Sequence, residues 1–176
     1  MVTSLEKYID ATLETIALTQ SIKFDSGQLF VTKYFNSLFS KINSLNTNSN
    51  IINKLFLKNN NIIKGIYLFG GVGRGKSMIM DLFFQNVDIK EKRRLHFHDF
   101  MKEVHQRVLE KSKVERNKDC VLLVAKDLAK SAKLLCFDEM EVRDIADAMI
   151  LSRLFEVMFK EGTVLVTTSN QPPEGL

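Results

Sequence analysis

From Lys64 onward the chain alternates short apolar runs with longer stretches whose apolar residues recur every three or four positions. The runs "GIYLFG", "RRLHFHDF", "KLLCFDE" and "TVLVTTSN" predict strands, and the apolar character of "GIYLFG" and "KLLCFDE" fits strands covered on both faces. Between them, "KSMIMDLFFQNV", the stretch from Met101 to about Ser112, "VLLVAKDLAKSA" and "IADAMILSRLFEVMFKEG" predict helices. Val104, Val108 and Leu109 form the apolar stripe of the second of these. The first residues of "VLLVAKDLAKSA" also fit a strand, and Gly162 closes the last helix. Alternating strands and helices predict an α/β fold, a parallel sheet with helices on both faces.

Residues 1–60 read differently and predict a small helical lead-in to a core over residues 61–176. Thr3 and Glu6 fit a capping box, followed by Leu5, Ile9, Leu13 and Ile16 at helical spacing. A break at Phe24–Gly27 precedes a second helix, with Leu29, Phe30, Tyr34, Leu38, Ile42 and Leu45 as its apolar positions. An Asn-rich segment then predicts loop, a short helix at Ile51–Leu57, and loop again.

Composition narrows the class. An apolar content of 45% supplies a normal core, and 176 residues suit one domain with a small appendage. The net charge of +4 is mild. The one dense basic run, "KEKRR" at residues 90–94, contains a Glu and leads into an apolar strand, which argues against a nucleic-acid stripe. Cys120 and Cys136 show no metal or redox spacing and predict buried thiols in a reducing compartment. The N-terminus carries Glu6, Asp10 and Glu14 and no long apolar run, so we expect no leader, no membrane span and a cytoplasmic protein.

Half of the eight glycines lie in one turn, "LFGGVGRGKS". Gly70, Gly71, Val72, Gly73, Arg74, Gly75, Lys76 and Ser77 fit G-x-x-x-x-G-K-[ST] between an apolar strand and a helix. Converging backbone N–H groups can reach phosphate oxygens only where side chains do not block them, hence the glycines. The helix beginning at Lys76 adds its positive dipole end. Lys76 is positioned to reach the β- and γ-phosphates of ATP, and Ser77 to ligate Mg²⁺. "LLCFDE" places Asp138 and Glu139 at the carboxyl end of a strand, on the same sheet edge as the glycine loop. Asp138 then serves Mg²⁺ and Glu139 polarises the attacking water. The second acid favours hydrolysis over transfer to a metabolite hydroxyl. Asn170, ending "TVLVTTSN", is the candidate for positioning that water.

"LHFHDFMKEVH" holds all three histidines. His96 and His98, two apart on a predicted strand, share a face there. The spacing lacks a fourth ligand, so structural roles are expected rather than a metal site. Phe100 and Met101 are expected as an exposed apolar pair, for hinge packing or for gripping a substrate.

The stretches "KGIYLFGGVGRGKSMIMDLFF", "RRLHFHDFMKEVHQRV", "LLCFDEMEVRDIADAMILSRLFEVMF" and "VLVTTSNQPPEGL" together resemble the ZapE cell-division ATPase family, with its mitochondrial AFG-one-like relatives, in the AAA+ class of P-loop NTPases. The lead-in resembles the family's N-terminal region more loosely. The resemblance implies Mg-ATP hydrolysis, a homo-oligomeric ring and protein clients. In bacterial members it points to FtsZ, and in mitochondrial members to turnover of inner-membrane proteins. It also implies a strand order of five-one-four-three-two. The present sequence ends at "QPPEGL", after the fourth core strand, where family members continue to a fifth strand, an arginine finger and a helical lid. An arginine finger is worth roughly 10³ to 10⁵ in rate. The expectation is therefore a chain that binds nucleotide and hydrolyses it poorly alone, with an apolar edge at "IYLF". A split or degraded gene product and a helicase-loader-type ATPase are the alternatives.

Overall fold

The computed structural model describes residues 12–47 and 65–175. Helices α1 (Leu13–Thr19) and α2 (Ser26–Thr47) precede strand β1 (Gly65–Phe69). There follow α3 (Lys76–Asn86), β2 (Lys92–His96), α4 (Phe97–Val114), α5 (Cys120–Ser131), β3 (Leu134–Asp138), α6 (Ile145–Lys160) and β4 (Val164–Ser169). The four strands form one sheet in the order β1-β4-β3-β2, and every neighbouring pair is parallel. That order agrees with the one the family resemblance implies.

Strand alternation divides the core into two layers. Leu134, Cys136, Val164 and Val166 face one side, where they pack with Phe35, Phe39, Ile79, Met80 and Phe83 from α2 and α3. Leu135 and Phe137 face the other side and pack with Phe100, Val104, Val124, Leu128 and Leu154 from α4, α5 and α6. Helices therefore cover both faces, as the alternating pattern predicts. Central β3 is buried along its whole length. Burial pushes the Cys136 thiol up to about 12.

Several expectations change. Strand β2 stops at His96, and "FHDF" begins α4 instead. Phe97, Phe100, Met101 and Val104 already follow helical spacing, and that stripe docks on Phe137. Phe100 and Met101 are consequently core residues, 0% and 4% exposed, not a surface pair. His98 lies on the helix, so it shares no strand face with His96. Cys120 opens α5 and is only partly covered, unlike Cys136.

In the lead-in, Thr12 is extended (φ −83°, ψ 158°) and caps α1 by accepting from Thr15 N, so α1 begins at Leu13. The Thr3–Glu6 capping box and the Ile51–Leu57 helix lie outside the described residues. Helix α2 buries Phe35, Leu38, Phe39 and Ile42, while Leu29, Phe30 and Tyr34 are exposed. The expected stripe was thus turned toward solvent at its N-terminal half. Phe35 and Phe39 meet Phe83 edge-on, and this contact selects the buried face.

Candidate functional site

Strand β1 delivers the glycine loop to the carboxyl edge of the sheet, where Gly70 N donates to Ser169 O of β4. Gly73 (φ 77°) and Gly75 (φ 75°) adopt left-handed backbone that side chains disfavour. Gly71 has ordinary backbone, and a Cβ there would meet no protein atom. Among the described residues nothing requires glycine at that position, which leaves the space over the loop open. Helix α3 starts at Lys76 with Gly75 as its N-cap and no side-chain cap, so its first N–H groups are available to an anion.

Lys76 Nζ donates to Gly70 O (2.7 Å), Gly71 O (2.9 Å) and Asn170 Oδ1 (3.0 Å). One ammonium thus joins the loop to the end of β4. Ser77 Oγ donates to Asp138 Oδ1 at 2.8 Å, bringing the loop serine onto the carboxylate of β3. A hydroxyl beside a carboxylate is an all-oxygen donor pair, the set that a hard divalent cation such as Mg²⁺ takes. Glu139 follows in left-handed backbone (φ 54°), and its side chain is exposed. It shares with Val72, Lys76, Ser77 and Asn170 the lining of an open cavity of about 260 Å³. The residues Gly70, Gly71, Val72, Gly73, Arg74, Gly75, Lys76, Ser77, Asp138, Glu139 and Asn170 are therefore gathered at one edge.

Three further residues touch this assembly. Arg94 of β2 donates from Nη2 to Asp138 Oδ2 at 2.7 Å. Its Nε lies 2.7 Å from Asp81 Oδ1 of α3, although the N–H is not aligned on that oxygen. Thr168 of β4 donates from Oγ1 to Asp138 Oδ1 at 2.8 Å. Gln28 exchanges two bonds with Asp25 (3.0 and 2.8 Å) and donates from Nε2 to Arg74 O at 3.2 Å. Asp25-x-x-Gln28 is a capping-box pattern, so the cap was visible in the sequence and its contact with the loop was not. The signal for Arg94 was a charge inside a strand covered by helices on both faces, which demands a counter-charge.

Lys92 and Arg93 of "KEKRR" are likewise used internally. Lys92 Nζ caps the end of α3 on Phe84 O (2.6 Å) and Val87 O (2.9 Å), and Arg93 pairs with both carboxylate oxygens of Glu103. The Arg93 guanidinium holds the Glu103 carboxyl below its ordinary range. His105 Nε2 lies 2.7 Å from Asp147 Oδ1, tying α4 to α6. Among the described residues no group of three or more His, Cys, Asp or Glu could hold a metal ion. None of their helices is long and apolar enough to cross a membrane.

The fold is shared with solved structures. DnaA from Aquifex aeolicus with AMPPCP bound superposes with a TM-score of 0.54 at 16% identity, over 96% of this chain and 43% of that one. The DnaC helicase loader gives 0.54 at 15% identity, over 95% and 80%. At these identities the likeness is one of fold, the parallel P-loop NTPase sheet. Sequence relatives are nearer. The chain is 48% identical over 121 residues to lactation elevated protein 1 homolog B of Danio rerio, and 44% identical over 114 residues to cell division protein ZapE of Escherichia coli strain K12. These matches span 64% and 65% of this chain, but 24% and 30% of the relatives' lengths. The sequence model of the AFG1-like ATPases matches residues 8–176, a range that takes in the glycine loop, Asp138, Glu139 and Asn170. With the parallel sheet and the loop in place, that match identifies the chain as a member of the AFG1-like ATPase family.

Proposed function

We propose that this chain binds ATP with Mg²⁺ at the glycine loop and hydrolyses it. The supporting observation is the convergence of Lys76, Ser77, Glu139 and Asn170 around one cavity at the carboxyl edge of the sheet, with Asp138 bonded to Ser77 behind it. The loop backbone from Gly70 to Gly75 and the start of α3 receive the phosphates. Lys76 exchanges its carbonyl partners for phosphate oxygens. Ser77 and Asp138 hold Mg²⁺, which supplies charge neutralisation at the transferring phosphoryl group. Glu139 would accept the proton of the attacking water, and Asn170 would orient that water.

Three readouts on purified protein test this. Lys76→Ala should abolish binding of a fluorescent ATP analogue, because it removes the cation that spans the loop. Glu139→Gln should leave binding intact and lower single-turnover hydrolysis by about 10² to 10⁴. Undiminished affinity in the first variant, or an undiminished rate in the second, would refute the assignment.

The wider role follows the relatives. We propose that the chain works on protein clients, in cell division or protein quality control, with FtsZ as the bacterial candidate. In this reading it acts within a homo-oligomeric ring in the cytoplasm, with residues 1–60 as a helical lead-in to a core at residues 61–176. Internal use of Lys92, Arg93 and Arg94 supports a protein rather than a nucleic-acid client.

A further inference from the structure

Strand β4 rises through Val164, Val166 and Thr168 on the face toward α3, one position in two. The β3–β4 register pairs Phe137 with Thr167, so Thr168 stands level with Asp138. Thr168 is 1% exposed. Its hydroxyl donates to Asp138 Oδ1 (2.8 Å) and accepts from Glu139 N (3.1 Å). Its carbonyl accepts from Met140 N at 2.7 Å. A single residue on the neighbouring strand therefore holds three successive residues, Asp138 by its carboxylate and Glu139 and Met140 by their backbone N–H groups.

Each contact has a consequence. Asp138 receives two hydroxyls on Oδ1, from Ser77 and Thr168, and the Arg94 guanidinium on Oδ2. The plane of its carboxylate is thereby set. Glu139 occupies left-handed backbone that residues other than glycine seldom adopt. Its N–H is satisfied there by the Thr168 hydroxyl. Without that hydroxyl, Asp138 keeps one donor on Oδ1 and the Glu139 amide is left without its partner.

We propose that Thr168 is the positioning residue of this site, orienting Asp138 toward the cation and Glu139 toward the cavity. This rests on the nucleotide reading above. Thr168 touches neither Lys76 nor the loop carbonyls that Lys76 bonds, so its effect belongs to the metal-dependent part of binding. Partners that orient metal ligands typically carry about 10- to 100-fold in metal affinity.

The test titrates MgCl₂ into protein held with a fluorescent non-hydrolysable ATP analogue. A second titration with the same analogue in chelator measures metal-free affinity. Thr168→Val keeps the β-branched shape and removes the hydroxyl. It should raise the Mg²⁺ midpoint about 10- to 100-fold with metal-free affinity unchanged. Thr168→Ser, which keeps the hydroxyl, should behave as wild type. A thermal melt accompanies each variant, and Thr168→Ala replaces the valine variant if that one does not melt cooperatively. An unchanged Mg²⁺ midpoint, or equal losses with and without the metal, would overturn the proposal. Wild-type binding that survives Lys76→Ala would instead overturn the nucleotide reading, and the role of Thr168 with it.

Discussion

Arg94 carries more at the residue scale than its place in a basic run suggests. Its guanidinium joins Asp138 of β3 to Asp81 of α3, and all three side chains are at least partly covered. A lysine could not span both carboxylates with one planar fork. Arg94→Gln leaves two carboxylates facing each other with the cation gone, and we expect it to destabilise the fold by about 1–3 kcal/mol. Urea unfolding measures this, and a loss below a few tenths of a kcal/mol would show the pair to be solvated surface charge. Arg94 was legible in the sequence only as a charge beside an apolar run. Its partners lie on two other elements, and no local pattern names them.

The lead-in is fastened to itself, at the element scale, by a polar clasp. Glu14 of α1 accepts from Thr32 Oγ1 and from Asn36 Nδ2 (2.7 Å), while Asn36 Oδ1 accepts from Leu13 N at 2.8 Å. Burial pushes the Glu14 carboxyl up, but these hydrogen bonds outweigh it and hold the group below its ordinary 4.5. A carboxyl depressed on folding contributes stability that is present above the unfolded value and lost as pH falls through the folded one. The clasp should therefore weaken below pH 4.5. Glu14→Gln, whose amide does not titrate, should melt lower than wild type at neutral pH and lose less on acidification. Parallel acid curves for the two proteins would exclude the clasp as the cause. The buried face of α2 was misjudged from sequence for a related reason. Leu29, Phe30 and Tyr34 offer as good a stripe as Phe35, Phe39 and Ile42, and only docking on Phe83 separates them.

For the whole molecule, one sheet separates two cores, and β3 contributes alternate residues to each. Phe83 closes the core that α2 and α3 share, with Phe35 at 5.3 Å and Phe39 at 6.4 Å between ring centroids. Phe83→Ala should cost about 3–5 kcal/mol, most of it felt as one cooperative transition. Because α2 packs into the sheet's own core, probes on α2 and on α5 should lose structure together in denaturant. Separate midpoints would mean that the lead-in folds as an independent unit.

The sequence by itself determined the order of strands and helices from Gly65 to Ser169, the parallel sheet, and the edge where the site gathers. These follow from local causes: periodicity of apolar residues, glycine where backbone turns left-handed, and parallel strands whose carboxyl ends must point one way. Tertiary structure decided that the helical stripe of Phe97, Phe100 and Met101 docks on Phe137 and is buried. It also decided which face α2 buries, and that Gln28 reaches the loop from the lead-in. Above all, it set Thr168 and Arg94 on the Asp138 carboxylate. Such contacts depend on strand register and on packing between residues far apart in the chain, and a change of one position in either would send the same side chains elsewhere.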